Sequence, residues 1–192
     1  MDLVLASESR YRRELLDRLG LSYRAFSHTC DESAFKGGER SPRSLAEELA
    51  REKAMSLRGR FGEAWIIGSD QVLEVEGEIL SKPGGFDKAM AQLRRLQGRE
   101  HRLITAVALS GPAGQLFQET DVYVMKMRAL EDEALERYLR ADEPFDCCGS
   151  YRIESRGIAL FEAIEGSDFT SIVGLPMIKV VSMLRAAGFE VP

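Results

Sequence analysis

Ser7-Glu8-Ser9-Arg10-Tyr11-Arg12-Arg13 sits between a short apolar run, Leu3 to Ala6, and a helical pattern. A strand that hands over to a helix leaves backbone N–H groups and a positive dipole end, which suit a phosphate. Ser7 and Ser9 add hydroxyl donors, and Arg12 or Arg13 adds a planar guanidinium fork. Ile66-Ile67-Gly68-Ser69-Asp70-Gln71 places an acid straight after a second apolar run, where α/β proteins put chemistry. Such an Asp can hold Mg²⁺ or take a proton from water. Lys82, in Ser81-Lys82-Pro83-Gly84, can neutralise a polyphosphate as a point charge. Glu154 can accept the N1–H and 2-amino hydrogens of a guanine edge.

Each signal also has an ordinary structural reading. The first stretch reads as a capped helix with a basic surface, Asp70 as a turn cap, and Lys82 as an exposed turn lysine. Lys53 lies beside an apolar helical stripe and reads equally as a snorkelling lysine. Asp31-Glu32 reads as a solvated acidic pair, and Glu154 as a surface carboxylate. His28 and His101 stand alone and read as structural or solvated; Val173-Gly174-Leu175-Pro176 reads as a loop entering a helix. In combination, these residues point to an α/β protein acting on a phosphorylated small molecule with Mg²⁺.

The elements that must position them follow from the pattern. Leu3 to Ala6 predicts a buried strand, and Arg10 to Leu19 a helix stopped by Gly20. Leu21 to Phe26 predicts a strand, and His28 to Glu39 a loop. Ser41-Pro42 predicts a helix start, with Ser44 and Glu47 as an alternative capping box. Ala64 to Gly68 predicts a strand that ends at Ser69-Asp70-Gln71. Val72 to Val75 and Ile79-Leu80 flank a hairpin turn at Glu76-Gly77. Helices are expected over Phe86 to Leu96, Leu130 to Leu139 and Leu175 to Ala187. Strands are expected over Leu103 to Leu109, Leu116 to Met127 and Ile158 to Ile164. The alternation predicts an α/β class with a mixed sheet.

Composition bounds the function. The 192 residues are 44% hydrophobic and 30% charged, the make-up of a globular domain. Folding at this size buries roughly 70% of the unfolded surface, so no metal or disulfide is required for a core. A formal net charge of −5 argues against nucleic-acid or membrane-surface binding by bulk charge. Cys30, Cys147 and Cys148 form no disulfide or zinc pattern. With no basic leader and no long apolar run, the expectation is a cytoplasmic protein.

Leu5-Ala6-Ser7-Glu8-Ser9-Arg10-Tyr11-Arg12-Arg13-Glu14-Leu15-Leu16 resembles the N-terminal signature of the Maf family of nucleoside triphosphate pyrophosphatases. Asp31-Glu32, Lys53-Ala54, Gly68-Ser69-Asp70-Gln71, Lys82-Pro83, Thr105, Gly149-Ser150-Tyr151 and Val173-Gly174-Leu175-Pro176 follow in family order. The pattern is most similar to the subgroup acting on 7-methyl-GTP, with Ser69 and Gln71 where the dTTP/UTP subgroup has Ala and Thr, and Glu154 where it has Gln.

The resemblance implies one domain over residues 1–192, an elongated mixed sheet with flanking helices, and two lobes around a deep substrate cleft. It implies hydrolysis of 7-methyl-GTP to 7-methyl-GMP and pyrophosphate with Mg²⁺ or Mn²⁺, in a homodimer. Asp70 matches the proton acceptor, and Lys53 and Lys82 the catalytic cations. Glu32 and Asp70 match the metal site, and Ser7, Arg12 and Arg13 the polyphosphate site. Tyr11, Gln71 and Glu154 match positions of base selection. N7-methylation gives guanine a positive charge, so an aromatic face and a carboxylate are a sensible pair for it. A dTTP/UTP-type pyrophosphatase and a non-catalytic nucleotide-binding regulator of cell division are the alternatives.

Overall fold

The wholly buried run Leu3–Leu5 forms β1, and backbone pairing sets a neighbour on each side of it. β2, Arg24–Ala25, runs parallel to β1 with Arg24 opposite Val4. β3, Trp65–Val75, runs parallel on the other side with Ile66 opposite Val4. The computed structural model describes residues 1–35 and 40–191; Lys36, Gly37, Gly38 and Glu39 of the expected loop lie outside the described residues. β4, Glu78–Leu80, returns antiparallel to β3 through Glu76 and Gly77, at φ of 51° and 83°. Two positive φ values are what a two-residue hairpin turn of this hand requires. β5, Glu100–Ser110, and β6, Leu116–Met127, match the two long predicted strands. β7, Phe161–Glu165, pairs antiparallel with β6. The seven strands form one mixed sheet in the order β2-β1-β3-β5-β6-β7, with β4 on β3. Flanking it are α1 (Arg10–Asp17), α2 (Pro42–Met55), α3 (Phe86–Leu96), α4 (Asp132–Asp142), α5 (Thr170–Val173) and α6 (Met177–Ala186). The class is mixed α/β, as the pattern predicts. No helix among the described residues is long and apolar enough to cross a membrane.

Several boundaries differ from expectation. Ser41, not a Ser44–Glu47 box, caps α2: the Ser44 N–H donates to Ser41 Oγ at 3.1 Å, and Ser44 Oγ donates to Glu48 instead. The strand expected over Leu21 to Phe26 shrinks to two residues. The segment expected as a strand from Ile158 opens with a 3-10 turn, Arg156–Leu160. Gly157 permits that turn, because a Cβ there would stand 2.2 Å from Arg152 O. Most important for function, β3 does not end at Ser69-Asp70-Gln71 but runs through them to Val75.

By contacts the chain divides into two units. One comprises Met1–Gln71, Thr105–Asp121 and Asp168–Pro192; the other comprises Val72–Ile104 and Val122–Ser167. The first packs α1 and α6 on one core with Leu3, Leu5, Trp65, Ile67, Val107 and Leu109 of the sheet. The second buries Leu93 and Leu96 of α3, Leu135 and Leu139 of α4, and Tyr151 and Phe161. Tyr151 meets Phe161 edge-on, with centroids 4.8 Å apart.

His101 belongs to that second core and is structural. Its Nε2 lies 2.9 Å from Tyr151 Oη, while its buried Nδ1 has no hydrogen-bond partner. Burial lowers its pKa from 6.5 to about 4. The unfolded chain therefore takes up a proton as pH falls below 6.5, and the folded chain does not until about pH 4. The stabilising effect of a neutral His101 is full above pH 6.5 and is lost on acidification to pH 4, a change of roughly 3 kcal/mol. His101→Phe should flatten the denaturant-derived stability between those pH values. An unchanged pH slope would show that His101 does not set it.

Candidate active site

Side chains alternate along β3, so Gly68 and Asp70 share one face and Ser69 and Gln71 the other. α2 lies directly on Gly68: a Cβ there would stand 2.2 Å from Ala50 O and 2.5 Å from Ala54 N. This close approach brings Lys53 of α2 to Asp70, with Nζ 2.6 Å from Oδ1. Lys53 is 5% exposed and Asp70 9%, so the lysine does not snorkel to water but pairs inside. The same ammonium lies 2.8 Å from Glu32 Oε1, on the 3-10 turn Glu32–Phe35. His28 Nε2 is 3.4 Å from that Glu32 oxygen. Burial, then the Lys53 cation, holds His28 below its ordinary value; Glu32 opposes this, and Arg12 and Asp70 act on it more weakly. Charged residues from α1, α2, β3 and the 3-10 turn thus all act on one imidazole, which reads as isolated in the sequence.

The start of α1 adds the donors. Ser9 caps the helix, with Arg12 N at 3.5 Å from its Oγ, and the Ser9 N–H donates to Ser7 Oγ at 3.2 Å. Arg12 Nε donates to Gly174 O at 2.9 Å, and its Nη1 to Ser7 Oγ at 3.4 Å. Arg13 is exposed, and its carbonyl accepts from Tyr23 Oη. Of the two arginines, Arg12 is the one bonded to Ser7. Tyr11 carries the Arg10 guanidinium 4.7 Å over its ring, so this ring face already attracts a planar cation.

The other face of β3 is tied down. Ser69 Oγ lies 2.9 Å from Ala106 O and 3.1 Å from Gly174 O. Gln71 Nε2 donates to Thr105 Oγ1, Ser171 O and Ile172 O at 2.8–3.1 Å. The amide hydrogens of Gln71 serve acceptors of its own unit, so a base could take them only by breaking those bonds.

Lys82 and Glu154 belong to the second unit. Lys82 is exposed on a loop fixed from two sides: Ser81 O accepts from Gln92, and the Gly84 N–H donates to Phe145 O. Glu154 is exposed on the turn before Arg156–Leu160. None of the three cysteines forms a disulfide among the described residues, and the Cys147 thiol is pushed up to about 12 by burial and then by the Asp146 carboxylate.

No cluster of three or more His, Cys, Asp or Glu among the described residues could hold a metal unaided. Glu32 and Asp70 nevertheless supply hard oxygen donors around one buried cation, Lys53. Two carboxylates completed by phosphate oxygens and water suit Mg²⁺, which seldom takes an all-protein cage.

A "7-methyl-GTP pyrophosphatase" of Xanthomonas campestris pv. campestris is 47% identical over 190 residues, 99% of this chain and 98% of that protein. One of Pseudomonas aeruginosa is 42% identical over 192 residues, 100% and 99% of the two chains. The solved Staphylococcus aureus Ham1 protein shares the fold, at a TM-score of 0.52 and 15% identity over 97% of each chain. The family described as Maf-like protein matches residues 2–187. The chain therefore belongs to the Maf family.

Proposed function

We propose that this protein hydrolyses 7-methyl-GTP to 7-methyl-GMP and pyrophosphate. The observation that carries the reading is the buried Asp70 carboxylate, held by Lys53 in the unit where Ser7 and Arg12 gather phosphate-type donors at the start of α1. The names of full-length relatives at 42–47% identity support the substrate.

In this mechanism Asp70 takes a proton from water as the oxygen bonds to the α-phosphorus and the α–β linkage breaks, releasing pyrophosphate. Ser7, Arg12 and Arg13 bind the phosphates, and Lys53 and Lys82 offset their growing charge. Glu32 and Asp70 would hold the divalent ion, Mg²⁺ or Mn²⁺, which when bound polarises phosphoryl oxygens. Tyr11 attracts the cationic 7-methylguanine ring by its face, worth ~0.5–2 kcal/mol. Glu154 accepts the guanine N1–H and 2-amino hydrogens. The family resemblance also carries a homodimer, and three cysteines outside any disulfide fit a reducing, cytoplasmic compartment.

The test is pyrophosphate release from 7-methyl-GTP, GTP, dTTP, UTP, CTP and ITP with Mg²⁺. Preference for 7-methyl-GTP over GTP of about tenfold or more in kcat/KM is expected, because 1.4 kcal/mol corresponds to tenfold. Glu154→Gln should narrow that ratio. Preference for dTTP or UTP would overturn the substrate, and binding without turnover would favour the regulator.

A further inference from the structure

α5 is a single short turn of helix, so its last carbonyls have no partner within the helix. The Gly174 N–H, Thr105 and β3 share the task of supplying those partners. Gln71 donates to Ser171 O and Ile172 O, and the one Ser69 hydroxyl hydrogen is shared between Ala106 O at 2.9 Å and Gly174 O at 3.1 Å. Ser69 is fully buried. Gly174 has φ +120°, a conformation that side chains rarely adopt, so this carbonyl takes a direction reserved for glycine. The carbonyl so fixed also accepts from Arg12 Nε at 2.9 Å. A guanidinium is planar, so fixing Nε on one acceptor and Nη1 on Ser7 sets the plane of the whole group.

We propose that Ser69 is a positioning residue for phosphate binding, acting through the Gly174 carbonyl on the Arg12 guanidinium. The chain of contacts is Ser69 Oγ, Gly174 O, Arg12 Nε, and Arg12 Nη1 to Ser7 Oγ. A central strand thereby helps set an arginine of α1. The proposal rests on the reading that Arg12 binds the substrate's phosphates.

Ser69→Ala keeps the volume of the strand but removes the hydroxyl. The expected result is a rise of about tenfold in KM for 7-methyl-GTP and in the Kd for inorganic pyrophosphate measured by calorimetry, with kcat within about twofold. The Arg12 Nε–H signal in a nitrogen–proton NMR spectrum, assigned by its loss in Arg12→Lys, should exchange faster with water. In an Arg12→Lys background, which cannot form the fork, Ser69→Ala should add less than about twofold. A Ser69→Ala protein of lowered Tm but unchanged KM, Kd and Nε–H exchange would overturn the proposal, as would an equal effect in both backgrounds. A wild-type protein with no turnover sinks the function reading alone, since pyrophosphate binding and the Nε–H signal still decide the positioning.

Discussion

Asp70→Asn is expected to lower kcat for 7-methyl-GTP about a thousandfold, with KM changed no more than a few-fold. Removing a general base typically costs 10²–10⁴-fold, and an amide keeps the shape of the carboxylate without its ability to take a proton. The variant also removes one of two carboxylates from Lys53. Because Glu32 Oε1 remains 2.8 Å from Nζ, the buried ammonium is not stranded. The stability loss should therefore fall below the 3–5 kcal/mol of a broken buried pair, at about 1–3 kcal/mol.

This creates an ambiguity that a second variant resolves. If Asp70 served only to anchor Lys53, Asp70→Asn could cost no more in kcat than Lys53→Met, which removes the anchored group itself. If Asp70 is the base, Asp70→Asn costs at least tenfold more in kcat than Lys53→Met, and the double variant recovers stability but not kcat. Single-turnover rates and thermal melts on wild type, both single variants and the double variant measure this. A kcat above one tenth of wild type in Asp70→Asn would remove the general-base assignment.

Periodicity made the framework legible. α3 over Phe86–Leu96, β6 over Leu116–Met127 and the Glu76-Gly77 turn follow from apolar spacing and turn chemistry within the segment itself. β3 was only half legible, for a physical reason. Ser69, Asp70 and Gln71 look like a turn because their polar side chains are costly to bury without partners. The partners exist, but Gly174, Ser171 and Ile172 lie about one hundred residues along the chain, and no local pattern announces them.

The candidate site shows the same limit. Lys53 reads as a snorkelling residue until Asp70 is seen 2.6 Å away. His28 reads as isolated although Glu32, four residues on, lies beside it. Arg12 and Arg13 carry equal weight in the sequence; only the fold separates the one bonded to Ser7 from the exposed one. Val173-Gly174-Leu175-Pro176 reads as a loop entry, yet Gly174 O is where β3 and α1 meet.

Gly68→Ala is expected to destabilise the protein by about 3 kcal/mol or more and to depress activity in whatever fraction remains folded. The added methyl would meet Ala50 O at 2.2 Å and Ala54 N at 2.5 Å, and both are backbone atoms of α2 rather than the ends of flexible side chains. Relief requires the helix to lift from β3. Small-to-large changes in packed sites cost 1–3 kcal/mol when side chains can yield, and here the helix backbone must yield instead. For a chain of this size that corresponds to a fall in Tm of roughly 6–12 °C. The activity follows from the same displacement, because Lys53 immediately precedes Ala54 and holds Asp70 at 2.6 Å. Gly59→Ala is the control: nothing lies within 4 Å of a Cβ there, so its Tm should change little or rise slightly. Melting curves of both variants, with kcat measured well below each Tm, separate the two effects. If Gly68→Ala melted like Gly59→Ala and kept full kcat, α2 would not depend on a bare backbone at residue 68, and the account of how Lys53 reaches Asp70 would fail.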